Sequence, residues 1–158
     1  MMNANNTYFE NLKKIGHDWE VARAERQARK QKIIDTLGWD SDELKAWYEE
    51  DAAAKFPFES GVSKAYRAWA QSLSRKEDEL EMDDFLWEKE VGDLVEALRS
   101  AGITSFIYTN QSTAVMENLH QLAAAGCSME GLCTITRHET RWGDEEPTEV
   151  MGIRFNLN

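Results

Sequence analysis

The hydrophobic pattern changes period along this chain, and that change restricts it to a fold that mixes helices with a sheet. Up to about residue 100, apolar residues recur at three- and four-residue steps. Tyr8, Leu12, Ile15, Trp19 and Ala22 form one stripe, which resumes at Ile33 and Leu37. Val62, Ala65, Tyr66, Trp69, Ala70 and Leu73 form a second, and Trp87, Val91, Leu94, Val95 and Leu98 a third. Each stripe marks one face of a helix. From Ile103 the pattern differs. ITSFIYT (103–109) is short and apolar on both faces, as a buried strand is. Val115, Leu119, Leu122 and Ala123 give one more helix, and 129–142 reads as a strand. WGDEEP then reads as a hairpin loop, after which Met151, Ile153, Phe155 and Leu157 alternate as a last strand facing the core.

The expected class is α+β. A helical N-terminal region (1–82) packs on an α-β-α-β-β unit (83–158), a two-layer arrangement with a three-stranded mixed sheet. The two parts are separate domains or one continuous domain. The charged stretch SRKEDELEMDD marks the boundary, near 76–83. The crossover from 103–109 to 129–142 predicts parallel strands, with the last strand outside that pair or between its members. Gly38 predicts a helix stop, Asp40 with Glu43 a helix cap, and Phe56-Pro57 another end. Trp19, Trp47, Trp69 and Trp87 all lie on apolar stripes and are expected to be at least partly buried.

A chain of 158 residues buries enough surface for a core without disulfides, so Cys127 and Cys133 read as reduced thiols. No apolar run reaches the roughly 20 residues that cross a bilayer, and the N-terminus lacks a secretory pattern. A cytoplasmic protein with no membrane partner is expected. The net charge of −11 disfavours direct nucleic-acid binding. Arg23, Arg26, Arg29, Lys30 and Lys32 make a basic stretch, diluted by Glu20 and Glu25, that reads as an ion-paired helix face.

Three places could carry chemistry. Tyr108, Asn110, Gln111, Ser112 and Thr113 join a strand to a helix, where backbone N–H groups converge and an anion or small ligand can bind, with His120 of the following helix as a further candidate lining residue. The same residues also suit a simple turn, with Ser112 or Thr113 as the helix cap. His120, Cys127, Cys133 and His138 are zinc-type ligands, but their spacing matches no zinc motif. Cys133 and His138 also have opposite strand parity, so no metal site is assigned. Residues 77–99 hold ten acidic groups, and Glu79, Glu81, Asp83, Asp84 and Trp87 within them could grip a basic partner. Arg137, His138, Glu139 and Arg141 read as charges guarding a sheet edge. No GxSxG, HExxH, kinase or phosphate-loop pattern occurs, so no catalytic residue or cofactor is assigned.

AGITSFIYTNQSTAVMENLHQLAAAGCSMEGL and the strand pair after it resemble a family of small, functionally uncharacterised proteins encoded by gut Firmicutes, often in mobile-element settings. The resemblance covers roughly 85–158, and Tyr108–Ser112 with the Met116–His120 helix carries most of it. It implies a bacterial cytoplasmic protein with a mobile-element accessory role and adds no mechanism. The function is therefore unknown at this level. The leading expectation is a non-enzymatic acidic interaction, inhibitor or accessory protein; the alternative is a ligand-binding module or enzyme using the 108–113 joint.

Overall fold

The structure, a computed structural model, describes residues 2–157. Two compact units emerge, one of residues 11–57 and one of residues 1–10 with 58–158.

The first unit holds most of α1 (Thr7–Leu37) and all of α2 (Asp42–Ala53). Gly16 does not interrupt α1, which ends at Gly38 in the left-handed region (φ +80°). The cap of α2 is Ser41, whose hydroxyl accepts from the Leu44 N–H at 3.1 Å, one residue beyond the expected Asp40. Trp47 is buried and its Nε1 donates to the Arg26 carbonyl at 2.8 Å. Arg23 pairs with Glu20, Arg26 with Asp51 and Arg29 with Glu50, while Lys30 lies over the Trp47 and Tyr48 rings. Much of the basic stretch is thus neutralised within its own unit.

The second unit contains α3 (Ser60–Ser74), β1 (Glu81–Met82), α4 (Glu88–Ser100), β2 (Ser105–Tyr108), α5 (Val115–Ala124), β3 (Cys127–Arg141) and β4 (Asp144–Leu157). The class is α+β, but the mixed sheet has four strands rather than three, in the order β1-β2-β4-β3. β1 was not legible: two residues are too short for periodicity, and they lie in the charged stretch. β2 and β3 both run antiparallel to β4, which lies between them.

The hairpin also differs from expectation. Its loop is only Trp142-Gly143, at φ +52° and +88°, a two-residue turn whose positive φ angles suit the twist of paired strands. The polar stretch 144–147, expected as loop, is therefore strand. Pro147 is tolerated there because β2 ends opposite Ile153, which leaves this part of β4 paired on one side only.

Phe106 stacks on Phe155 in the core, with ring centroids 5.6 Å apart. At the other end of the unit, Trp69 stacks on Phe9 at 5.0 Å, and both are buried. The most buried line of α3 runs along Gly61, Ala65, Ala68 and Ser72 as well as Trp69. Small residues there let α3 approach α4 closely. A Cβ on Gly61 would collide with the Glu90 carbonyl oxygen and lie 2.9 Å from the Leu94 nitrogen. Backbone atoms cannot rotate aside, so Gly61→Ala should lower stability by about 1–3 kcal/mol or more. An unchanged melting temperature would contradict that crossing.

Candidate functional site

Trp87 is 59% exposed, contrary to its place on an apolar stripe. It caps α4 rather than joining it, and its extended backbone (φ −79°, ψ 146°) turns the side chain off the helical stripe. The segment that presents it is clamped on both sides. Buried Asn118 of α5 accepts from the Leu86 N–H at 3.1 Å and donates back to the Leu86 carbonyl at 2.8 Å. The Trp87 N–H donates to Glu90 Oε2 at 3.0 Å. Lys64 Nζ binds the same Glu90 oxygen at 2.6 Å and the Phe85 carbonyl at 2.5 Å. Phe85 meets the Trp87 ring edge to face, 4.6 Å between centroids.

An exposed aromatic on a fixed backbone loses little freedom on binding, which favours a contact site. Its surroundings are acidic and apolar. Glu88 and Glu117 are exposed without an ion pair among the described residues, and Met116 is 74% exposed. Two open cavities of about 610 and 480 Å³ meet at Glu88, one against Trp87 and Lys89, the other against Met116, Glu117, His120 and Gln121. His120 therefore belongs to this face and is not drawn to the 108–113 joint.

The rest of the acidic block is largely committed inside the fold. Glu81 is 1% exposed and cannot touch a partner, which corrects its place among the partner-binding candidates. Arg137 binds its carboxylate bidentately, and Thr109 Oγ1 donates to it at 2.6 Å. Glu79 is paired bidentately with Arg154, Asp84 with Arg67, and Asp83 with Arg75. Arg75 also reaches Glu139 at 3.0 Å. So Arg137 and Glu139 do not guard a free edge: they tie the far part of the hairpin to β1 and α3. The His138 N–H reinforces this tie by donating to the Arg75 carbonyl at 2.8 Å.

Beside Glu81 lies Glu77, fully buried, with neither carboxyl oxygen receiving a hydrogen bond. Burial, helped by the Glu81 charge, pushes the Glu77 carboxyl up to about 9. Burial opposes ionisation of Glu81 too, but hydrogen bonds from Arg137 and Thr109 hold it down at about 2. Burial thus favours the protonated form of Glu77, and the Arg137 guanidinium favours the ionised form of Glu81. No solvent reaches the pair, so this cluster is a structural lock.

The 108–113 joint is a tether. Asn110 Oδ1 accepts from the Ser112 N–H at 3.0 Å, and its Nδ2 donates to the Asp83 carbonyl at 2.9 Å. Tyr108 is buried, its hydroxyl donating to Asn118 Oδ1 at 2.7 Å, and burial pushes that hydroxyl up to about 12. Ser112 and Thr113 do not cap the helix: α5 begins later, at a cap residue, Ala114, with no side-chain bond. Gln111 and Thr113 are exposed. The cavity at the joint is only about 160 Å³, lined by Tyr108, Thr109, Asn110 and Gln111 together with Val115, Leu132, Met151 and Ile153. Met151, expected in the core, is 59% exposed, since the short helix α5 does not cover it.

Both cysteines are free, and the uninterrupted register beyond Gly131 keeps Cys133 and His138 on opposite faces. Among the described residues no cluster of His, Cys, Asp and Glu is arranged to hold a metal ion, and no helix is long and apolar enough to cross a membrane. Asn118, Lys64 and Glu90 were missed as the clamp on Trp87. Asn118 carried a signal, since it lies three residues after Val115 and four before Leu122, a polar residue on an apolar stripe.

A family model described as a domain of unknown function (DUF7698) matches residues 64–157. No curated protein and no solved structure matches the chain.

Proposed function

The chain belongs to the DUF7698 family, and from that premise we propose that it is a non-enzymatic interaction protein, an inhibitor or accessory factor that binds a basic protein partner. The observation that carries this reading is the clamped, exposed Trp87 between Met116 and the unpaired Glu88 and Glu117. An apolar anchor inside an acidic rim suits a partner segment that sets basic side chains around an apolar one. The net charge of −11 adds attraction at long range. Resemblance to proteins of gut Firmicutes and their mobile elements points to a bacterial cytoplasm as the setting, and two free cysteines suit that reducing compartment. The ligand-binding reading of the 108–113 joint has less support, because a cavity of about 160 Å³ is small for a ligand site.

Capture from a bacterial lysate at low and at moderate salt, with wild type beside Trp87→Ala and Glu88→Lys/Glu117→Lys, tests the proposal. The expected result is a basic protein bound by wild type, released as salt rises and lost from both variants. Trp87→Ala should cost about 2 kcal/mol, roughly thirtyfold in affinity, as a central aromatic anchor does. Capture of nothing at either salt overturns the reading. Capture that both variants leave intact moves the contact off this face.

A further inference from the structure

Two carboxylates of the Trp87 face share one cavity. Glu88 opens α4 and Glu117 lies in the first turn of α5. Both line the opening of about 480 Å³ whose wall is completed by Met116, His120 and Gln121. Neither has an ion pair among the described residues. Their neighbours in the acidic block differ, since Glu79, Glu81, Asp83, Asp84 and Glu90 each meet an arginine or a lysine. Like charges lining one cavity repel each other, and a cation between them turns the repulsion into attraction.

The cavity wall adds an unmet acceptor. Gln121 Oε1 is buried and receives no hydrogen bond from the described residues. Such an oxygen costs free energy until a donor reaches it. The chemistry that suits all three groups is a positive charge that carries several N–H donors at once.

We propose that this cavity receives an arginine side chain of the partner. This rests on the reading of the Trp87 face as the contact surface, and it names the group that the face selects. A guanidinium is planar, always charged and carries five N–H donors in a fixed fork, so one group can serve Glu88, Glu117 and Gln121 together. A lysine ammonium is a compact, strongly hydrated point charge with fewer donors. The arginine stem finds apolar surface at Met116, which is 74% exposed. The cavity against Trp87 meets this one at Glu88, so a residue beside the arginine can reach the indole. Lys89 lines the Trp87 cavity and not the one between the carboxylates, where it would compete with the incoming cation.

Binding of blocked tetrapeptides to the full chain tests this. Acetyl-Gly-Arg-Leu-Gly-amide is set beside versions with lysine or citrulline in place of arginine; citrulline keeps the shape without the charge. Nuclear magnetic resonance reads the Trp87 indole N–H and the Gln121 side-chain amide. The arginine peptide should move both signals, bind about tenfold tighter than the citrulline peptide and severalfold tighter than the lysine peptide, and weaken as salt rises. Glu117→Gln should weaken the arginine peptide about tenfold with no change in melting temperature, because this side chain is exposed. Equal binding of the arginine and citrulline peptides overturns the proposal, as does a preference for lysine or no binding of any peptide at millimolar concentration. So does arginine binding that leaves the Gln121 signal still or that survives Glu117→Gln. In each of those cases the Trp87 face stands as long as Trp87→Ala still abolishes capture of a basic protein. If that capture survives Trp87→Ala, the face itself falls and the arginine cavity with it.

Discussion

Arg137→Met should lower the stability of the protein by about 3–5 kcal/mol at neutral pH, the cost of stranding a buried charge. The Arg137 guanidinium binds the Glu81 carboxylate bidentately where that carboxylate is 1% exposed. Without it, Glu81 keeps Thr109 and a 3.5 Å contact with Arg75, and Arg75 is already shared with Asp83 and Glu139. The methionine also unties the far part of the hairpin from β1. Removing both charges should behave differently, because apolar replacement of a whole buried pair is often neutral or better. Glu81→Leu/Arg137→Met should therefore recover much of the loss. Urea unfolding of both single variants and the double variant measures the coupling directly. A single variant within about 1 kcal/mol of wild type would mean that Arg137 contributes only as a surface ion pair does.

Most elements of this fold were legible, because their side chains repeat at the spacing of the structure they form. The long helix from Tyr8 to Leu37 and the apolar run 103–109 needed no tertiary information. What escaped was decided by contacts distant in sequence. Residues 77–99 look like an exposed acidic surface, yet Glu77, Glu81 and Glu90 are buried, the first two beside Arg137 of β3 and the third beside Lys64 of α3. A charge run does not reveal which of its members will meet an arginine 56 residues later, as Glu81 does. One clue was present: Arg137 has the parity of Cys133 and Ile135 in β3, so it shares the inward face of buried Ile135. Trp87 misled in the opposite direction. Its spacing to Val91 is helical, but a cap residue is not held by helical geometry, and one position decides whether an indole joins the core or faces solvent.

Stability should also fall as pH rises above the ordinary carboxylate range, and Glu77→Gln should remove most of that fall. Glu77 in the folded chain holds its proton up to about 9, while in the unfolded chain it releases it near 4.5. Between those values the folded state binds one more proton than the unfolded state, so this group's stabilisation is complete below about 4.5 and is lost as pH rises through 9. The slope it can impose is about 1.4 kcal/mol per pH unit. Glu81 acts in the other sense: held at about 2, it contributes stability above 4.5 that is lost as pH falls towards 2. Together the two place the pair's own optimum near 4.5, unusually acid for a carboxylate cluster surrounded by arginines. Glutamine at position 77 keeps the shape and can still donate to Glu81, but has no proton to lose. Urea midpoints at several pH values from 5 to 9 should decline for wild type and stay nearly level for Glu77→Gln, so that the variant is the more stable protein at the alkaline end. Parallel curves for the two proteins would show that Glu77 is ionised in the folded chain, with its charge balanced by Arg75 at 3.9 Å and Arg137 at 4.0 Å rather than by a proton.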